Sequence, residues 1–239
     1  MGIRKSKLST TNYSIPNPKS RHLLYAGEPV HRPLLQNPKS KIEMTQVSIP
    51  DLVAGVRSGY VVSFPTDTVP ALAALPERAD LIFAAKQRSQ NKPLILMGAT
   101  AEDLWDFVTG SAAEWLLWQQ VAAKYWPGAL TLVLPASDRV PKAMNPTDPS
   151  SIGLRVPTSA IAQYILSQTS PLATTSANLS GQPPLTTMAE IEAQFPDVLT
   201  LRATEFAEEN SGIGVPSTVA KWIDGGWEIL RMGAIRLEI

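Results

Sequence analysis

The sequence predicts an α/β domain built on a mixed, twisted open sheet flanked by helices. Three observations carry that expectation. Helix-length segments alternate with short apolar runs from residue 48 onward. The last two runs, "STVAKWI" and "WEILRMG", flank Asp224-Gly225-Gly226, a hairpin signal that a purely parallel sheet would lack. Apolar content of 44 % and charged content of 18 % are ordinary for a globular chain, and 239 residues suffice for a sizeable core.

Taken in order, Ser48 or Asp51 caps a first helix that ends near Gly59. Tyr60 to Phe64 is a buried strand stopped by Pro65, and "PTDTVPAL" continues as a polar loop. A helix over 79–88, a strand over 94–97 and a helix over 101–108 follow. Residues 111–126 form an amphipathic helix with Trp115, Leu116, Val121 and Tyr125 close to one face. Trp105 and Trp118 are expected in core packing. Then come strands over 129–136 and 151–157, a helix over 159–168, a strand running into a loop over 171–177, a helix over 188–195, and the hairpin.

Residues 1–44 differ in kind. They are rich in Pro, Ser, Asn and basic residues, with "PNPKS" and "QNPKS" as near-repeats, and are expected to be an irregular basic extension. A basic arm for RNA and a leader upstream of a start at Met44 both fit. The organised domain is expected over 45–239. The formal net charge of zero divides accordingly: up to Met44 there are eight Lys+Arg against two Asp+Glu, and thirteen against nineteen thereafter. A mildly acidic domain argues against broad electrostatic binding of nucleic acid by its surface.

The chain has no cysteine, and both histidines, His22 and His31, lie in the basic segment. That removes disulfides, thiolate nucleophiles, Cys-ligated zinc and any imidazole-based triad from the domain. It fits a reducing, cytoplasmic setting. No run of roughly 18 apolar residues marks a membrane span.

Several polar loops follow apolar strands, the arrangement in which α/β folds build sites. In "FPTDTV", Thr66, Asp67 and Thr68 offer hydroxyls and a carboxylate to a ligand, or a cap to a helix. In "KQRSQNKPLIL", Lys86, Arg88 and Lys92 stand within seven residues and lead into a strand, which favours a phosphate site over dipole compensation alone. "TTSANLSG" ends a strand in hydroxyls, an amide and a glycine, suited to an oxyanion or to a simple turn. Arg155 and Arg231 are embedded in apolar runs, so each needs a carboxylate or an anionic ligand. Neither GxxxxGK[ST] nor a complete dinucleotide glycine loop occurs.

Taken together and in order, "PTDTV", "KQR" followed by Lys92, "WPGALTLVLP", "GLRVP", "TTSANLSG", "PSTV" and "ILRMGAI" resemble the YrdC family over about residues 46–235. The resemblance implies a single YrdC-like domain of the short form, without the extra C-terminal domain of some members. It implies synthesis of L-threonylcarbamoyladenylate from L-threonine, bicarbonate and ATP, with release of pyrophosphate and magnesium held mainly by the ATP phosphates. The product would serve threonylcarbamoyladenosine formation in tRNA through downstream transferase machinery. By resemblance Lys86, Arg88 and Lys92 contact the triphosphate and the carboxylated intermediate, and Ser176 and Asn178 the adenylate. Thr66, with Thr68 beside it, would meet the amino acid, while Arg155, Ser217 and Arg231 line the same cleft.

One departure stands out. The family's usual continuation of the PTDT loop is Tyr-Gly-Leu, and this chain has Pro70-Ala71-Leu72. Proline fixes φ and lacks an N–H, and alanine restricts a positive φ. The substitution keeps a second reading open, a paralogue that binds nucleotide or double-stranded RNA without making the intermediate. A third is carbamoyl-adenylate chemistry with another acceptor, as in the YrdC-like module of hydrogenase maturation proteins.

Overall fold

The computed structural model describes residues 45–207 and 212–238, and the basic segment 1–44 lies outside the described residues. Ten strands form one mixed sheet. They are β1 (Gln46–Val47), β2 (Val62–Phe64), β3 (Ala71–Ala74), β4 (Ile95–Met97), β5 (Leu130–Pro135), β6 (Ser151–Arg155), β7 (Leu172–Ser176), β8 (Leu199–Leu201), β9 (Thr218–Ile223) and β10 (Gly226–Arg231). Across the sheet the order is β1-β8-β2-β3-β7-β4-β6-β5-β9-β10. Parallel pairs (β1/β8, β2/β8, β4/β6, β5/β9) interleave with antiparallel ones, as the alternation of helices and hairpins predicts.

The helices are α1 (Ile49–Arg57), α2 (Ala79–Lys86), α3 (Glu102–Trp105), α4 (Ala112–Tyr125), α5 (Ala160–Thr169) and α6 (Met188–Gln194). Because strand side chains alternate between faces, the sheet separates two cores. On one face α2, α3, α4 and α6 pack over its length, with Ile82, Leu104, Trp118 and Ile191 against Leu72, Leu96, Leu132 and Leu154. On the other, α1 and α5 place Leu52, Val56, Ile165 and Leu166 against Val62, Phe64, Ala73 and Leu172. That second layer stops near β4. Over β6, β5 and β9 the same face carries Gly153, Arg155, Thr131, Val219 and Lys221 into an open cleft.

Three strands were not legible as strands. β1 and β8 are two and three residues long, and β3 begins in the last two residues of the segment expected to be a loop and runs on to Ala74. β3 is four buried residues, ALAA, poor in β-branched side chains and covered on both faces, so neither propensity nor alternation marks it. The buried face of α4 also needs correction. Its buried residues are Trp118 and Ala122, with Trp115 and Tyr125 packed beside them, whereas Leu116 is 63 % exposed. Positions 115, 118, 122 and 125 keep the three-four spacing of one helical face, and Leu116 falls about 100° off it.

All six tryptophans join in one chain of ring contacts. It runs Trp227–Trp222–Trp118–Trp115–Trp105–Trp126, with centroids 5.2, 6.1, 5.9, 5.6 and 5.9 Å apart. The chain ties the β9–β10 hairpin to α4 and α3, and so fixes the cleft wall that carries Ser217 and Arg231.

Candidate active site

The cleft encloses about 380 Å³ over the uncovered half of the sheet, a size within the range of small-molecule sites. Gly153 keeps its floor low, since a Cβ there would come within 3.4 Å of Ile95 and Thr131. Two clusters of polar groups bound it, and they differ in how their charges are met.

At one end the Thr66–Val69 loop is closed by its own side chains. Thr66 Oγ1 donates to the Val69 carbonyl (2.7 Å) and accepts the Thr68 N–H (3.2 Å). With that proton committed, Thr68 must be the donor in the 3.1 Å contact between the two hydroxyls. Thr68 Oγ1 in turn accepts from Arg155 Nη1 at 2.8 Å. Arg155 also donates through Nη2 to Asp67 Oδ1 (2.7 Å) and through Nε to the Gly128 carbonyl (3.2 Å). The Arg155 and Asp67 side chains are only 5 % and 17 % exposed. Burial lowers the Arg155 pKa, and Asp67 opposes that shift. From behind, Gly212 lies against the carbonyls of Thr66 and Thr68, where any Cβ would clash at 2.4–2.6 Å. The N–H groups of Ile213 and Gly214 bond to the Asp67 and Thr68 carbonyls. This end is rigid and balanced in charge.

At the other end β7 delivers Ser176 to the cleft wall, and the turn beyond it folds around Asn178. Asn178 Oδ1 accepts from Ser176 Oγ (2.6 Å), while its Nδ2 donates to the carbonyls of Leu179 (2.8 Å) and Gln182 (2.7 Å). Behind this turn stands Lys86, the last residue of α2, wholly buried. Its Nζ donates to the Ser176 carbonyl and to Asn178 Oδ1 (3.2 Å). Burial, and secondarily Arg88, push the Lys86 pKa from 10.5 down to about 7. α2 then ends in a Schellman turn: Gln87 is left-handed (φ 49), and the N–H groups of Gln87 and Arg88 bond to the carbonyls of Ala84 and Phe83. That turn sends Lys86 behind the wall and Arg88 into the cleft.

Arg88 is half-buried and held by backbone, with Nε on the Lys92 carbonyl (2.9 Å) and Nη2 on the Pro93 carbonyl (3.2 Å). Arg231, at the open lip, donates Nε and Nη2 to the Ser217 carbonyl (3.1 and 2.7 Å) and Nη2 to Ser217 Oγ (3.3 Å). Ser217 Oγ pairs with Thr131 Oγ1 at 2.8 Å. Burial lowers the pKa of both guanidinium groups, and Arg231 lowers that of Arg88 further. Among the described residues no carboxylate comes within 4.0 Å of Lys86, Arg88 or Arg231.

The structure thus gathers most of the residues singled out by sequence. Thr66, Thr68 and Arg155 line one end, and Arg88, Ser176, Ser217 and Arg231 the other. Lys86 and Asn178 stand directly behind Ser176. Lys92 is exposed and off the cleft wall, contributing its carbonyl to Arg88. Sequence reasoning left two features unassigned. Asp67 is the counter-charge of Arg155, and Thr131, in the middle of β5, is the partner of Ser217. A lone Thr inside an apolar run was the available signal for the second.

The Pro70-Ala71 departure leaves the backbone unstrained. Ala71 opens β3, paired with Phe64 and Ser176, and is not among the residues of positive φ. The Pro70 carbonyl accepts the Ala177 N–H at 2.9 Å, so this segment clasps the Thr66 loop to the Ser176 turn. Behind the loop a second cavity of about 460 Å³ shares Thr66, Thr68 and Pro70 with the cleft. Its other polar groups are committed, Thr186 and Thr187 to Glu190 and Gln46 to Glu192. The cations without a carboxylate partner, Arg88 and Arg231, line the first cleft and not the second.

Guanidinium groups without counter-charge over an open half-sheet give an α/β cleft whose chemistry suits an anion. The Sua5/YciO/YrdC family, described as "Telomere recombination", matches residues 55–233, and the chain belongs to that family. It is 33 % identical over 210 residues to a threonylcarbamoyl-AMP synthase of Pyrococcus abyssi, covering 86 % of this chain and 59 % of that protein. A threonylcarbamoyl-AMP synthase of Vibrio campbellii is 34 % identical over 174 residues, 70 % of this chain and 90 % of the relative. The crystal structure of P. abyssi Sua5 complexed with L-threonine superposes with a TM-score of 0.67 at 30 % identity, over 77 % of this chain and 54 % of that one. The chain therefore spans little more than half the length of the archaeal relative.

Proposed function

We propose that the protein is an L-threonylcarbamoyladenylate synthase, a nucleotidyltransferase acting on L-threonine, bicarbonate and ATP. The observation that carries this reading is the pair of guanidinium groups, Arg88 and Arg231, gathered beside Lys86 at the Ser176 end with no carboxylate to meet them. A triphosphate would supply the missing charge. The threonine amine combines with bicarbonate to give an N-carboxylate and water. A carbamate oxygen then attacks the α-phosphorus, and the bond to pyrophosphate breaks. No protein nucleophile is needed, which suits a domain without cysteine or histidine. The work of the protein is to align the partners and stabilise the charge that moves onto pyrophosphate.

The one carboxylate lining the cleft among the described residues, Asp148, is committed to Ser150 and Ser151, and Asp67 beside the cleft to Arg155. This donor set suits a magnesium ion carried by phosphate oxygens and water. The product would pass to a transferase acting on tRNA in the cytoplasm.

The test is pyrophosphate release from ATP, magnesium and bicarbonate, with and without L-threonine. Threonine-dependent release that Arg88→Ala lowers about 100-fold is expected. ATP binding without threonine-dependent release would instead favour a nucleotide- or double-stranded-RNA-binding paralogue. Pro70→Tyr/Ala71→Gly would then be the variant to restore activity.

A further inference from the structure

The hydrogen-bond geometry around Lys86 has a consequence for how substrate binds. An ammonium has three N–H donors and no acceptor, whereas a neutral amine has two donors and a lone pair. Lys86 Nζ has two acceptors, the Ser176 carbonyl and Asn178 Oδ1, and none other among the described residues. Both are already well used, since Asn178 Oδ1 also accepts from Ser176 Oγ. The site thus matches the neutral amine donor for donor, while an ammonium would bury one N–H unmet and an unpaired charge.

The charged groups around it point the same way. Arg88, two residues on, acts on it directly, and Arg231 of β10 stands beyond Arg88. The turn from Ser176 to Gln182 contributes polar but uncharged side chains. The segments packed on α2 carry Glu77, Arg78 and Lys142, and α2 itself carries Asp80 in its first turn. None of their carboxylates pairs with Lys86. Both its neighbours on the cleft side, Ser176 and Arg88, line the cleft.

We infer that Lys86 is uncharged in the empty protein and takes up one proton when a polyphosphate enters the cleft. The incoming anion, on the other side of the Ser176 wall, supplies the opposite charge that the protein withholds, and departure of pyrophosphate returns the proton. The downward shift of its pKa to about 7 agrees with this geometry. Binding linked to proton uptake weakens as pH rises, here about tenfold per pH unit above pH 7. This inference rests on the synthase reading only in taking ATP as the anion.

The experiment is NMR titration of the full chain carrying ε-¹³C lysine, with and without ATP. One lysine titrating near pH 7 in the empty protein, absent from both Lys86→Arg and Lys86→Met, is the expected result. Added ATP should move that titration up by about two pH units or more. In parallel, calorimetry at pH 8 in two buffers of different ionisation enthalpy should show uptake of about one proton per ATP, abolished in Lys86→Arg. If no lysine titrates below pH 9, the inference is wrong whether or not ATP binds. If ATP shifts other lysine signals but leaves this one unmoved, the inference fails and the synthase reading stands. If ATP moves nothing and releases no heat, the synthase reading fails and takes proton uptake by ATP with it.

Discussion

The two ends of the cleft hold cations in opposite ways. Arg155 has a carboxylate, a hydroxyl and a carbonyl on its three nitrogens, so it is balanced before any ligand arrives. Arg88 and Arg231 are held only by carbonyls and, for Arg231, a hydroxyl, and Lys86 by a carbonyl and an amide oxygen. Carbonyls orient a cation without cancelling its charge. The difference separates two jobs on one sheet: the Asp67–Arg155 end holds a loop in shape, and the Arg88–Arg231 end holds unmet positive charge, with Lys86 behind it to take up a proton.

That contrast is broken most severely from the balanced side. Asp67→Ala strands a buried guanidinium, and removing one partner of a buried pair costs about 3 kcal/mol or more. Urea unfolding should show a loss of that order, whereas Arg88→Ala should leave the midpoint nearly unchanged while pyrophosphate release collapses. The double variant Asp67→Ala/Arg155→Met should recover most of the stability, because no charge is left unmet. If Asp67→Ala unfolds no more easily than Arg88→Ala, the two ends are not different in kind.

The same division explains what sequence could disclose. Lys86, Arg88 and Lys92 stand out in sequence as a cluster leading into a strand, and Arg155 and Arg231 as cations in apolar runs; all but Lys92 converge on the cleft or its wall. Their separate employments do not stand out, since whether an arginine meets Asp67 or a backbone carbonyl depends on strands distant in the chain. Arg155 and Asp67 are 88 residues apart and meet only because β6 and the loop after β2 reach the same end of the cleft. Helices were legible through their spacing and caps, as at Ser48, which accepts the Asp51 N–H and starts α1. β3 was not, because a short all-buried alanine-rich strand shows neither period nor propensity.

A smaller effect sharpens the contrast through pH. The folded-state pKa of Lys86 lies below its unfolded value, so between about pH 7 and 10.5 the unfolded chain binds a proton that the native state lacks. Stability from this residue therefore rises with pH across that window and is flat below it. Lys86→Met should remove that rise, measured as the urea midpoint at pH 7 and pH 9. Arg155→Met should not, because its charge persists throughout. A wild-type midpoint that does not rise relative to Lys86→Met would mean that Lys86 is charged when the cleft is empty.

The smallest expected effect lies at Gln87, the hinge between a buried lysine and an arginine facing the cleft. Its φ of 49 puts a side chain in the left-handed region, where glycine fits without a Cβ penalty. Gln87 is exposed and no side-chain hydrogen bond is found for it, so the turn is held by the two backbone bonds to Phe83 and Ala84. Gln87→Gly relieves the strain but adds freedom to the unfolded chain, and the net gain should be about 0.5 kcal/mol. A thermal midpoint raised by about 1–2 °C, with ATP affinity unchanged, would show that the turn's geometry and not the Gln87 side chain divides Lys86 from Arg88. A loss of ATP affinity in that variant would mean that the glutamine itself belongs to the phosphate end of the cleft.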